Sequence, residues 1–159
     1  MTETADTVKK NPDAGDFDKT ADLPVSIFDV FETDTNAEED GRWFDGFGSG
    51  GISVKLRRLS SKKAMAVRQR LNRRYRSSAK NGVLPAEIQD KIILSTLAEG
   101  CFVDWKGIHA RDGKPIEFSP EAAYELLSKL PNFRNAVYTV CDQLDFWRTE
   151  EQTEVVGNS

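Results

Sequence analysis

Ile52-Ser53-Val54-Lys55-Leu56-Arg57-Arg58-Leu59-Ser60 is the stretch on which the fold turns. From Ile52 to Arg57 apolar and polar side chains alternate, the period-two pattern of a strand with one buried face. After Leu59 the period lengthens to about 3.6. Ala64, Val67, Leu71 and Tyr75 then fall on one stripe of a helix that runs to about Ser77. Ser60 or Ser61 stands where an N-cap is needed, its hydroxyl placed to accept from the first free backbone N–H groups. The change of period predicts a β part before residue 59 and a helical part after it.

Upstream, Val25, Ile27, Phe28, Val30 and Phe31 are apolar and β-prone, which predicts a first strand. Asp34 to Gly41 reads as a polar acidic loop. Trp43, Phe44 and Phe47 read as a second short strand running into a flexible loop at Gly46–Gly51. Residues 1–24 are acidic and carry Phe17 as their only aromatic; too little apolar surface is present to offset ordering entropy, so a disordered tail is expected.

Downstream, Leu84-Pro85-Ala86-Glu87 opens a second helix, with Ile88, Ile92, Ile93 and Thr96 as its expected buried face, reaching about Gly100. Phe102, Val103 and Trp105 lead to a turn at Asp112-Gly113, and Ile116–Phe118 reads as extended. Ser119-Pro120-Glu121 starts a third helix and Pro131 stops it. A last helix spans about Phe133 to Glu150, its stripe made of Phe133, Val137, Val140, Cys141, Leu144 and Trp147. Residues 152–159 are expected to fray. The fold class is α+β: a short antiparallel β part at 25–59, then a bundle of about four helices over 60–151.

The 159 residues are 38% hydrophobic and 30% charged with mean hydropathy −0.53, which places the chain among globular proteins. No run approaches the ~18 apolar residues of a membrane span, and Met1-Thr2-Glu3-Thr4-Ala5-Asp6 has neither the basic nor the apolar region of a signal peptide. A protein that stays where it is made is expected. Cys101 and Cys141 read as small buried apolar residues, and His109 stands alone in a turn. Asp104, Asp112 and Glu117 lack the spacing of a calcium loop. With no phosphate loop, dinucleotide fingerprint, nucleophile elbow or zinc-helix motif, neither an enzyme nor a cofactor is expected.

Charge is the strongest anomaly. Residues 1–54 hold 13 acidic and 4 basic groups, residues 81–159 hold 13 and 7, and residues 55–80 hold 11 basic groups with no acid. Lys62, Arg70, Arg73 and Arg76 lie opposite the apolar stripe of the first long helix, a cationic back with three readings. It is a solvated or self-neutralised face, a docking face for an acidic protein, or a surface for phosphates. The whole-chain pI of 5.1 and the lack of a helix-turn-helix, zinc-finger or RNP signature weigh against the last. Most aromatics are expected in the core. Trp147, near the end of the last helix and followed by Arg148, is expected to be exposed and to join the cations as a partner-binding residue.

The order of these parts resembles the tail assembly chaperones of long-tailed bacteriophages. The strings that carry the resemblance are Ile52 to Ser60 running straight into a basic helix, Val103-Asp104-Trp105-Lys106-Gly107-Ile108, and Asp112 through Ala123 leading into Leu126-Leu127. The closing helix from Phe133 with Phe146-Trp147 completes them. They cover roughly residues 42–150. The resemblance implies a protein of the host cytoplasm that binds the tape-measure protein, keeps it soluble while the tail tube polymerises, and is absent from the mature virion. Contacts with the tail tube protein and homo-oligomerisation are further implied partners. Two other classes fit the same residues: a small nucleic-acid-binding or regulatory protein acting through residues 55–80, and a structural tail or head-completion subunit.

Overall fold

The computed structural model describes residues 23–149. All but the last two residues of the expected tail, and the whole of the expected frayed C-terminus, lie outside them. The chain divides after Glu32 into two compact units.

In the first unit, the expected strand at Val25–Phe31 is instead a single-turn helix, α1 (Ile27–Phe31). Ser26 decides this: its hydroxyl accepts from Phe28 N at 3.2 Å, an N-cap that the β-prone side chains concealed. The apolar side chains of Leu23, Val25, Ile27, Phe28, Val30 and Phe31 are all exposed.

The second unit begins with another correction. The acidic segment expected to be a loop folds as α2 (Thr35–Asp40), started by Asp34 Oδ1 accepting from Ala37 N at 3.0 Å and ended by Gly41 at φ 103°. Strands β1 (Arg42–Phe44), β2 (Ser53–Leu56) and β3 (Phe102–Lys106) form one antiparallel sheet in the order β1-β2-β3. Val54 faces Trp105 across the central pair, and the register slips between Lys55 and Leu56. The expected β part therefore takes its third strand from between the helices, so sheet and bundle share one core.

Four helices build the bundle: α3 (Lys62–Arg74), α4 (Ala86–Ser95), α5 (Pro120–Lys129) and α6 (Pro131–Asp142). The mixed α+β class follows. Ser61 caps α3, accepting from Ala64 N at 3.3 Å, and Ser119 caps α5, accepting from Ala122 N at 3.0 Å. Helix α4 continues as a π-helical turn, Thr96–Cys101, which feeds directly into β3. Gly100 in this turn lies against α3 so closely that a Cβ there would come within 2.7 Å of Ala64 Cα. At Gly107, which ends β3 at φ +78°, a Cβ would meet Gly51 O at 2.5 Å.

Val54 and Leu56 from the sheet, Ala64 from α3, and Leu97, Cys101, Ala123, Leu127, Val137 and Cys141 from the helical layer meet in the core. The stripe of α3 is buried as its spacing predicts: Val67 and Leu71 pack with Ile92 in a second, smaller cluster flanked by Tyr75 and Ile88. The last helix stops earlier than expected, at Asp142, and a 3-10 turn, Leu144–Trp147, follows.

That turn overturns the expected exposure of Trp147, which is 0% exposed. Once the helix breaks at Gln143, the chain folds the indole back against its own helix, and Trp147 Nε1 donates to Val140 O at 2.8 Å. Phe44 meets its ring edge-on at 5.4 Å, and Asp34 N donates to Trp147 O at 2.7 Å.

Candidate partner-binding surface

Lys62, Arg70 and Arg73 project from α3 and Arg76 from the 3-10 turn after it, and all four are exposed. The structure thus places four of the five expected binding residues on one exposed face, whereas Trp147 is buried.

The positive block is partly neutralised from within the fold. Its N-terminal end is met by α2: Arg58 pairs with the Glu38 carboxylate, Arg57 Nε donates to Glu39 O at 2.9 Å, and the Glu39 carboxylate accepts from Lys62 N at 2.9 and 3.2 Å. This last contact places an anion at the N-terminal end of α3, where the helix dipole favours it. Arg70 reaches Glu99 Oε2 at 2.7 Å, a pair whose side chains are about half exposed and therefore weakly held. Lys63, Arg68, Arg73, Arg74 and Arg76 have no carboxylate at ion-pair distance among the described residues, and the Arg74 guanidinium lies 5.6 Å from the centre of the Tyr75 ring.

Beside this face runs a groove that the charge pattern did not reveal. One recess of about 100 Å³ is lined by Leu59, Arg68, Ile92, Ile93, Thr96 and Tyr138. A second, of about 340 Å³, shares Arg68, Ile92 and Ile93 and extends to Asn72, Gln89 and the Gly82-Val83-Leu84 loop. Ile93, expected in the buried face of α4, is 39% exposed; Leu94 and Leu97 turn toward the core in its place. Tyr138 at 42% and Val83 at 61% extend the apolar exposure. The signal available in the sequence was the spacing of Met65, Arg68 and Asn72, which puts them on one flank of α3.

A separate cavity of about 530 Å³ lies between the glycine-rich loop and α6, lined by Phe44, Phe47, Val140 and Phe146. Among the described residues no group of three His, Cys, Asp or Glu side chains converges to hold a metal ion, and no helix is long and apolar enough to cross a membrane. Burial pushes the Cys141 thiol well above its ordinary pKa, and the neighbouring Cys101 and Asp142 push it in the same direction.

The sequence pattern of the YdaY prophage protein family matches residues 59–158. The match opens at the residue where strand periodicity gives way to helix, and it contains α3 to α6 and every residue of the groove. No curated protein and no solved structure matches the chain.

Proposed function

We propose that this chain, which belongs to the YdaY prophage protein family, acts as a non-enzymatic tail assembly chaperone, holding the tape-measure protein soluble while the tail tube forms. The observation that carries the reading is the pairing of an open apolar groove with a cationic helix face whose arginines are largely unneutralised by the described residues. A tape measure is a long helical chain with much apolar surface. A protein that holds it needs exposed apolar side chains for contact and like charge for dispersal, without bond-making chemistry. In this reading the protein works in the host cytoplasm, leaves before the virion matures, and meets the tail tube protein or a second copy of itself during assembly.

Co-expression with the tape-measure protein of the same prophage tests this. The expected outcome is a larger soluble fraction of the tape measure and co-purification of the two chains. An insoluble tape measure that does not co-purify removes the reading, and recovery of the chain in purified mature particles points instead to a structural subunit.

The exposed cations Lys62, Arg70, Arg73 and Arg76 along α3 and the turn after it favour a second reading, binding to nucleic acid. It requires DNA affinity that falls steeply with salt and disappears when Lys62, Arg70, Arg73 and Arg76 are changed to Glu.

A further inference from the structure

We propose that the groove walled by α3 and α6 and floored by α4 is a docking site for one amphipathic helix of a protein partner, with carboxylates flanking its apolar stripe. The proposal rests on the tape-measure reading only for the identity of the natural partner.

Three observations define the occupant. The floor is apolar and open: Ile93 and Tyr138 are exposed beside buried Ile92, and the recess continues past Val83. Apolar contacts spread along a trough between helices match the i, i+3, i+4, i+7 anchors of a helix better than the regular phosphates of a nucleic acid.

The α3 wall then sets the charge. Met65, Arg68 and Asn72 follow one another up the flank, and Arg68 lines both recesses with no carboxylate at ion-pair distance among the described residues. A guanidinium offers a planar fork that fits a carboxylate, so an acidic residue one step off the partner's apolar stripe would meet it. The whole of α3 contains six Lys and Arg and no acid, so a helix carrying Glu is steered in and one carrying Lys is repelled.

The α6 side carries charges of both signs, with Asp142 exposed one turn on from Tyr138. Arg134 on α6 and Asp90 on α4 stand 4.0 Å apart, a weak, partly exposed pair of opposite sign.

The test uses the full chain and two synthetic helical peptides of about 18 residues, sharing one leucine stripe and flanked in one case by Glu and in the other by Lys. Binding is measured by calorimetry and mapped by NMR. The Glu peptide is expected to bind, with amide shifts centred on Arg68, Ile93 and Tyr138, and the Lys peptide to bind about tenfold more weakly. Ile93→Glu is expected to weaken the Glu peptide about tenfold or more. Arg68→Glu is expected to do the same while improving binding of the Lys peptide. Both positions are exposed, so circular dichroism of either variant is expected to match the native protein; Tyr138→Ala supplies an independent variant from the other wall.

No binding of the Glu peptide, equal binding of the two peptides, or native-like binding by Ile93→Glu would overturn the proposal. Tighter binding of an about 20-base-pair DNA duplex, insensitive to Ile93→Glu but lost in Arg68→Glu, would assign Arg68 to nucleic acid and overturn it as well. The two proposals fail separately. A tape measure that does not co-purify, with peptide binding intact, removes the tape-measure reading alone. One that co-purifies equally well with Ile93→Glu removes the groove alone.

Discussion

Trp147 shows how much one side chain can hold after a helix has ended. It is fully buried, its indole N–H satisfied by Val140 O, its ring edge met by Phe44 and its carbonyl taken by Asp34 N, so it ties the turn after α6 to the segment before β1. Trp147→Ala removes that volume from a closed core and is expected to cost about 3–5 kcal/mol in urea denaturation. Trp147→Phe keeps part of the volume but leaves Val140 O without its donor, and is expected to cost less than Trp147→Ala yet still about 1 kcal/mol or more. Equal costs would mean that the ring volume retained by Phe contributes nothing beyond the shared loss of the hydrogen bond. Cys141 makes a different demand. Its thiol is held neutral by burial, with a pKa above the ordinary value. Below an ordinary thiol pKa of about 8.5 both folded and unfolded chains keep the proton, and no pH dependence arises. Above it the unfolded chain releases a proton that the folded chain retains, so stability falls as pH rises, by at most about 1.4 kcal/mol per pH unit for this group. The measurement is the denaturation midpoint from pH 7 to 10 in the native chain and in Cys141→Ala, where the alkaline slope is expected to shrink.

At the scale of elements, caps settle what periodicity leaves open. Ser61 is 1% exposed, and its hydroxyl accepts from Ala64 N at the start of the helix that carries the cationic face. Ser61→Ala is expected to cost about 1–2 kcal/mol and Ser119→Ala, at a less buried cap, about 1 kcal/mol or less, both read from thermal unfolding. The long helices were legible because each carries a stripe of four or more apolar residues, and the α3 stripe from Ala64 to Leu71 is buried as its spacing requires. The one-turn helices were not, because five or six residues cannot display a 3.6 period. Ser26 and Asp34 start α1 and α2, and only their hydrogen bonds distinguish these segments from the strand and loop expected there. Strand β3 is hidden in the sequence for a related reason. It follows the π-helical turn without a break and pairs through a register slip at Lys55 and Leu56, so its buried residues, Phe102 and Trp105, are three apart and do not alternate. In the binding surface the cations were legible from charge alone. The groove was not, since Ile93 sits beside Ile92 in sequence and only the packing of Leu94 and Leu97 turns it outward.

At the scale of the whole molecule, the family match begins at Leu59, yet the core does not. Val54 and Leu56 on β2 are both fully buried, and Ala37, Phe44, Phe47 and Ile52 pack against the same cluster as α5 and α6. Two buried aliphatic side chains contribute about 1.5–3 kcal/mol each, and the half-buried group adds a comparable amount. That total reaches the whole net stability of an ordinary domain, about 5–15 kcal/mol. Removing β2 also strips β3 of the partner on which its backbone groups depend, leaving Phe102 and Trp105 without their cross-strand neighbours Leu56 and Val54. A fragment of residues 59–149 is therefore expected to lack cooperative unfolding and dispersed amide resonances. A fragment of residues 33–149, which retains β1 and β2, is expected to give a single transition in which circular dichroism and tryptophan fluorescence coincide. Cooperative folding of the shorter fragment would mean that the helices carry a core of their own. The strands that the family pattern leaves out would then be an addition to the fold and not a condition of it.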